Sequence, residues 1–597
     1  MKNSDAVISF YEENLSAFEK KESTLNKKIK QIMALRLSFA GLLVFFFFYG
    51  ISMNVSWMLY LSGISLLAFI SLLMWQNNLE KTLQFYKAQV YVYEEELAYL
   101  KKGIWSKNTG EEYINPSHPY TYDLDIFGKH SLFQKINRTK TYLGEKSLVE
   151  DLENPDLNTI AEKQDIIKEM ATDVSFLQDL QAYAYLTFEE KEQINSFFKW
   201  LQNKEIQLPR FWVLYSKVSW LPFVLVLALI FIAKLPLTNL LVTIFVIHFL
   251  IAGIYRKKNA HQEKGMDKMA IHLYQYGNIF KAIEEKEWHS EGLKKLHKKI
   301  LGNYKNASTN LFQLAQIFKR IENIENIFGN LILNGVFLYH IKSLDLLKKW
   351  HQEQNVELKT QMETWGKWEA LLSLAIFHYN HPQYIFPEIS EDHFTFEKLG
   401  HPLMEIKKMV TNSISFTEKP FVILTGSNMS GKSTFLRSIG VNSLLFNIGA
   451  PVFAQKAILS PLPLYVSMRQ TDSLSDNESY FYAEIKRLNA IKEALKTEAH
   501  FILLDEILRG TNSDDKTAGA IGLLEQLTHF KVKGIIATHD LEVCSMENQY
   551  NNFYKNYCFE SQIKDGDLLF DYTLRSGICK NRSATFLMKK MGILPEN

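Results

Sequence analysis

Two uninterrupted apolar runs stand near the start of the chain. Leu37 to Met53 and Trp57 to Trp75 hold no charged residue. At about 17 and 19 residues, they approach the ~20 that a helix needs to cross hydrocarbon. Only Asn54, Val55 and Ser56 separate them, and Tyr49, Trp57, Tyr60 and Trp75 lie where interfacial aromatics belong. The pattern predicts a helical hairpin through a membrane. A second hairpin is predicted over Val218–Ala233 and Leu235–Tyr255, turning at Lys234-Leu235-Pro236-Leu237. It is less uniform, with Lys217 beside it and His248 within it. Core helices are usually amphipathic, whereas these runs are apolar on every face. A third run, Ile327 to Tyr339, is short and interrupted by Asn330, Asn334 and Gly335, and it reads as core.

Elsewhere the period is helical up to about Phe377. Residues 1–32 form a charged, helix-prone lead-in, and Lys81 to Lys102 reads as a long amphipathic helix. Asn108 to Tyr122 reads as a loop with Pro116 and Pro119. Residues 123–210 are predicted helical, and helix resumes after the second hairpin from Lys257. From about Thr411 short apolar runs alternate with helical stretches, the signature of an α/β domain. The expected division is 1–110 with the first hairpin (37–53 and 57–75), 111–410 interrupted by the second (218–233 and 235–255), and 411–597. The fold class expected is a mostly α-helical region with two transmembrane hairpins, followed by a C-terminal α/β domain.

Charge orients this arrangement. Lys27, Lys28, Lys30 and Arg36 precede the first hairpin, and Arg256, Lys257 and Lys258 follow the second. The excess of cations on the cytoplasmic side then makes this a multi-pass protein of the cell membrane, its large soluble parts in the cytoplasm. The first run begins too late, and has a partner run too close, for a cleaved signal. The 597 residues are 47% apolar with 41 phenylalanines, much of it explained by the hairpins, and a net charge of +2 makes no global case for nucleic acid. One basic stretch, Lys294, Lys295, Lys298 and Lys299 followed by Tyr304 and Lys305, suits either a solvated face near anionic lipid or a sequence-independent phosphate contact. Cys544, Cys558 and Cys579 have no metal-ligand spacing and suit a reducing compartment.

The chemistry is carried by the α/β region. The apolar run Phe421-Val422-Ile423-Leu424 is followed by Thr425-Gly426-Ser427-Asn428-Met429-Ser430-Gly431-Lys432-Ser433-Thr434 and then by a helical stretch. This is the strand, glycine-rich loop and helix of a phosphate-binding loop, or P-loop. Gly426 and Gly431 let backbone N–H groups turn inward, Lys432 reaches the β- and γ-phosphates, and Ser433 holds magnesium. Roughly seventy residues on, Phe501-Ile502-Leu503-Leu504 ends in Asp505, placed to orient the metal, and Glu506, placed to polarise water. Gly534-Ile535-Ile536-Ala537-Thr538 ends in His539, a candidate γ-phosphate sensor at the edge where open parallel sheets collect ligands. ATP and Mg2+ are the cofactors expected.

These stretches resemble the MutS mismatch-repair ATPases. Gly426 to Thr434, with its internal Asn-Met, is similar to their phosphate loop. Leu504 to Asn512 is similar to the magnesium strand, and Ala537 to Glu542 to the histidine switch. Upstream, Phe127 to Leu132, Asn137 to Thr141 and Gly144 to Leu148 resemble the start of the family's helical core. His401-Pro402-Leu403 resembles the start of its ATPase domain, and Tyr572 to Gly577 a strand near the end. The resemblance implies a homodimer in which a serine loop completes the neighbouring subunit's site. Ser479 matches that serine and Glu484 a following glutamate, with Asn477 where glycine is common. Met409 falls where an adenine-stacking aromatic is expected, and packing on a purine and packing in the core suit it equally.

The family wedges a phenylalanine into DNA from a domain for which the stretch before residue 120 has no place. The resemblance implies an ATPase that moves helical levers and associates with DNA, and with the apolar runs and the missing domain the expectation is a membrane-anchored member that does not read mismatches. The competing expectation is an ATP-driven membrane switch or transport-coupled ATPase with no DNA role. Few polar residues within the hairpins, and no Leu-Ser-Gly-Gly signature, argue against a transporter.

Overall fold

The computed structural model describes the whole chain except residues 1–3, 188–189, 203–205, 261–268, 303–306, 325–326, 470–479, 509–511, 565–566, 580–592 and 594–597. Each of the first two apolar runs is the far part of a much longer helix. Helix α1 covers Ser4–Ser52 and α2 covers Ser56–Lys102, 49 and 47 residues, or about 70 Å each at 1.5 Å per residue. The chain reverses at Asn54, whose φ is 57°. One antiparallel register then holds: Lys28 lies over Trp75, Phe18 meets Tyr86, and Tyr11 meets Tyr93.

Both α1 and α2, with the helix Thr238–Lys258, are long and apolar enough to cross a membrane. Arg210–Val218 and Leu221–Ile232 meet at 40° and make a fourth candidate if taken as one span. The bend falls just before Pro222, which lacks the N–H an unbroken helix needs there.

The third apolar run is not core. Its helix, Ile327–Phe337, lies against Thr238–Lys258 so closely that a Cβ on Gly335 would come 2.1 Å from the Phe245 ring. Its asparagines turn inward: Asn334 Nδ2 donates to Asn330 Oδ1 (2.7 Å), and its Oδ1 accepts from His340 N (2.8 Å). Polar groups satisfied on the inner side leave Ile332 60% exposed, and the run joins the apolar surface of the second hairpin.

A 42-residue helix, Tyr339–Asn380, is the spine of the helical body. Its Glu369 is fully buried and accepts from Lys140 N (2.7 Å) and Thr141 N (3.2 Å), holding the start of the helix Tyr142–Glu153. At its C-terminal end a buried polar chain ties four elements together. Tyr11 donates to Asn380 (2.9 Å), Asn380 to Glu96 (2.7 Å) and Arg138 Nε to Glu96 (2.5 Å). The start of α1 is thus fastened at the Asn380 end, and the turn at Asn54 lies about 65 Å further along α1. The helix Ile327–Phe337, which packs on the second hairpin at Gly335 and Phe245, is tied to the Tyr339 end by His340 N donating to Asn334 Oδ1.

Among the described residues ten strands build the α/β domain: β1 Glu388–Ile389, β2 Thr395–Leu399, β3 Asn412–Ser415, β4 Phe421–Gly426, β5 Lys456–Leu459, β6 Leu464–Ser467, β7 His500–Asp505, β8 Val532–Thr538, β9 Tyr554–Lys564 and β10 Asp567–Ser576. Sheet structure opens at Glu388, upstream of Thr411, because β2 pairs with both β3 and β5. The smaller sheet has order β1-β5-β2-β3 and the larger β10-β9-β4-β8-β7-β6. In the larger, β9, β4, β8, β7 and β6 are parallel, with β10 antiparallel at one edge.

Strand β4 is buried throughout, and its faces divide: Val422 and Leu424 pack toward the helical body, Phe421 and Ile423 into a separate cluster on the other side. Burial on both faces explains why the strand reads as a continuous apolar run. The first cluster continues without a break into the helical body, so body and α/β domain share one core.

Candidate functional site

The turn after β4 runs straight into the helix Lys432–Asn447. Gly431, with φ of 100°, supplies the left-handed residue before the helix, and a Cβ there would sit 3.0 Å from the Tyr572 ring. Ser430 N donates back to Ser427 O (3.2 Å), while Met429 stands 81% exposed at the tip. Lys432 is buried and its Nζ donates to the Gly426 and Ser427 carbonyls at 2.7 and 3.2 Å, so the ammonium lies in the mouth of the loop. Ser427 Oγ and Ser430 Oγ are buried with no hydrogen-bond partner among the described residues. Unmet polar atoms, a cation and a helix N-terminus on one concave surface form an anion cradle.

The acidic half comes from β7. Strand order puts β8 between β4 and β7, so the ends of all three reach one edge in register: Thr425 beside Thr538, and Asp505 beside Ala537. Ser433 Oγ donates to Asp505 Oδ2 at 2.5 Å. A hydroxyl and a carboxylate together suit magnesium, which takes few protein ligands and completes its shell with phosphate oxygens and water. Glu506 Oε1 lies 3.9 Å from Lys432 Nζ and 3.5 Å from His539 Nδ1. The residues present fit a magnesium nucleotide.

Glu506 has φ of 47° and Leu508 60°, both left-handed without being glycine. Such residues persist only where their surroundings hold them. Glu506 N donates to Ala537 O (2.9 Å) and Leu508 N to Glu484 Oε1 (2.7 Å).

Beside the loop lies a cavity of about 520 Å³ lined by Ser427, Asn428, Met429, Thr434 and Glu506, and on its other side by His401, Met409, Phe559 and Tyr572. Burial, with the Arg437 charge next, lowers the His401 pKa to about 4 and keeps its ring neutral. Met409 lines this cavity. Sequence reasoning missed Tyr572 as a site residue. It sits in a bulge of β10, where the register with β9 shifts between Phe570 and Leu574. Asn412 fixes that bulge, donating to Tyr572 O (2.9 Å) and accepting from Leu574 N (2.8 Å). A lone tyrosine in an alternating strand carries no signal for this. Ser479, with Asn477, lies outside the described residues, as do Arg509, Gly510 and Thr511 of the loop after Glu506.

Lys432, the Ser433–Asp505 pair and the Glu506–His539 pair thus lie together on one parallel edge of an α/β domain. Residues 422–597 match the family model described as MutS domain V. The chain is 30% identical over 322 residues to a DNA mismatch repair protein MutS of Thermotoga maritima, covering 48% of this chain and 40% of that protein. It is 33% identical over 221 residues to the DNA mismatch repair protein MutS of Leptospira interrogans, covering 35% and 26%. It is 29% identical over 223 residues to MutS protein homolog 4 of Homo sapiens, covering 36% and 24%. The chain spans at most about two fifths of the length of these relatives. The longest of these matches covers 48% of the chain, and its C-terminal domain is similar to domain V of the MutS family.

Proposed function

We propose that this chain is a membrane-anchored MutS-type ATPase that works as a homodimer. ATP binding and hydrolysis would move a helical body whose two hairpins lie in the cell membrane, with the remaining parts in the cytoplasm. One observation carries the ATPase reading: Lys432, the Ser433–Asp505 pair and the Glu506–His539 pair meet at the edge of three adjacent parallel strands. Proteins of the family use ATP with magnesium and act as dimers.

In the proposed reaction the loop N–H groups and Lys432 hold the β- and γ-phosphates. Ser433 and Asp505 would hold magnesium, which when bound neutralises charge on the phosphate oxygens. Glu506 orients and polarises the attacking water, and His539 beside it senses the γ-phosphate. Supporting the membrane reading are three apolar candidate spans, with the bent pair Arg210–Val218 and Leu221–Ile232 as a fourth, and the basic residues flanking them. Purified full-length protein in detergent should hydrolyse ATP and dimerise more strongly in its presence, read by light scattering. Failure of the wild-type chain to bind nucleotide with magnesium would sink the reading.

Tyr572 lies against Gly431 and lines the cavity together with Met409, and we propose that its ring stacks on the purine. Tyr572→Ala should weaken ATP affinity about 10-fold, since base–aromatic stacking contributes ~1–3 kcal/mol. Turnover of bound ATP should change little. Titrating a fluorescent ATP analogue alongside steady-state turnover tests this, and unchanged affinity removes the assignment.

A second reading, an ATP switch at the membrane without DNA, is favoured by the basic helix Glu291–Leu301. There Lys294 is paired with Glu291 (3.0 Å) and Lys295 with Glu162 (3.1 Å), which weakens the face as a phosphate binder. Any DNA affinity should fall steeply with salt and ignore mispairs. Titration of matched and single-mismatch duplexes at two salt concentrations checks it. A mismatch preference above about tenfold, ~1.4 kcal/mol, would show that a reading element is present.

A further inference from the structure

The connection from α2 into the helical body carries two carboxylates that the proposed chemistry does not use. Asp123 is completely buried and accepts from Met468 N and Arg469 N, both at 2.7 Å, and from the Arg487 guanidinium. Two residues on, Asp125 accepts from Arg469 Nη2 (2.5 Å) and faces Arg437 Nη1 at 3.7 Å. The three arginines come from three parts of the nucleotide domain: the phosphate-loop helix, the residues after β6, and the helix Tyr480–Leu495. The stretch is seated as well as charged. Pro119 O accepts from Val466 N (2.9 Å), and Leu124 fills the space beside Gly440, where a Cβ would come within 2.6 Å of it.

The consequence lies one turn along the helix Tyr480–Leu495. Arg487 is held between Asp123 and the Val466 carbonyl (2.6 Å). Three residues earlier, Glu484 accepts from Leu508 N at 2.7 Å and so restrains the left-handed turn that includes Glu506. Two left-handed non-glycine residues are strained, so the turn needs an external restraint to keep its shape. Glu484 supplies one, Arg487 fixes the helix that carries Glu484, and Asp123 fixes Arg487.

Resting on the ATPase reading above, we propose that Asp123 is a positioning residue for ATP hydrolysis. From the connection into the helical body, it sets the geometry of Glu506 through Arg487, Glu484 and the Leu508 amide. Displacement of the body relative to the nucleotide domain would then act on the water-polarising carboxylate through the helix Tyr480–Leu495. Asp125 serves the same interface at Arg437 and Arg469.

The test uses the full-length protein in detergent, with ATP affinity and steady-state turnover measured separately. Asp123→Asn and Glu484→Gln should each lower kcat about 10-fold to 100-fold, the scale expected for a catalytic group displaced by about an ångström. ATP affinity should stay within about threefold. The double variant should be no slower than the slower single one, because both act through one chain of contacts. Arg487→Lys, which keeps a cation for Asp123, should recover most of the turnover lost in Arg487→Gln. If Asp123→Asn does not fold, Glu484→Gln and the Arg487 pair decide the matter. Turnover within twofold of wild type in folded variants, or multiplicative losses in the double variant, would overturn the proposal. A wild-type chain that hydrolyses no ATP would instead refute the underlying ATPase reading.

Discussion

Glu506→Gln is expected to slow ATP hydrolysis by about 10²–10⁴, the usual contribution of a positioned general base, while ATP still binds. The amide keeps the shape of the side chain but loses the charge that polarises water. The Ser433–Asp505 pair and the Lys432 loop stay intact, so the nucleotide should persist on the protein rather than leave it. Lys432→Ala should behave differently. It removes a buried cation from the mouth of the loop, so affinity and turnover should fall together. Nucleotide retention after rapid gel filtration, measured beside phosphate release, separates the two. Equal nucleotide loss from both variants would contradict the roles given to these residues.

The second large effect concerns stability. Arg138→Met should destabilise the helical body by about 3–5 kcal/mol, the range found when one member of a buried ion pair is removed. Arg138 and Glu96 are only 7% and 3% exposed, and the guanidinium also stacks on Tyr99 at 4.4 Å. Without Arg138, Glu96 keeps a single donor, Asn380, among the described residues, which does not offset the lost solvation of its charge. Glu96→Leu with Arg138→Met should restore much of the loss, because no charge is then stranded. Urea midpoints of the detergent-solubilised chain measure this, and a single-variant loss under about 1 kcal/mol would contradict it. The same contacts fasten α1 and α2 to the body, so Arg138→Met should also make the α1–α2 stalk an early site of proteolysis.

Local order carried much of the nucleotide site. Gly426 to Thr434 had to be a turn entering a helix, because its glycines and its place after a buried strand leave few other conformations. Asp505, Glu506 and His539 were legible as strand ends for the same reason. The apolar runs were equally direct: a stretch with no polar face cannot be an amphipathic surface helix.

What the sequence by itself determined, then, is the chemistry at the ends of individual elements and the length and apolar character of individual helices. The tertiary structure alone decided how these meet. It inserted β8 between β4 and β7, which brings His539 within 3.5 Å of Glu506. It turned Tyr572 into the cavity through a bulge fixed by Asn412, 160 residues away. It laid Ile327–Phe337 along the second hairpin, where one-dimensional hydropathy suggested core. It also drove Asp123 into the nucleotide domain, more than 340 residues from its partners Met468 and Arg469. The physical reason is common to all four. Periodicity and motif spacing report interactions over a few residues, whereas strand order, bulges and buried ion pairs depend on which distant surfaces exclude water together.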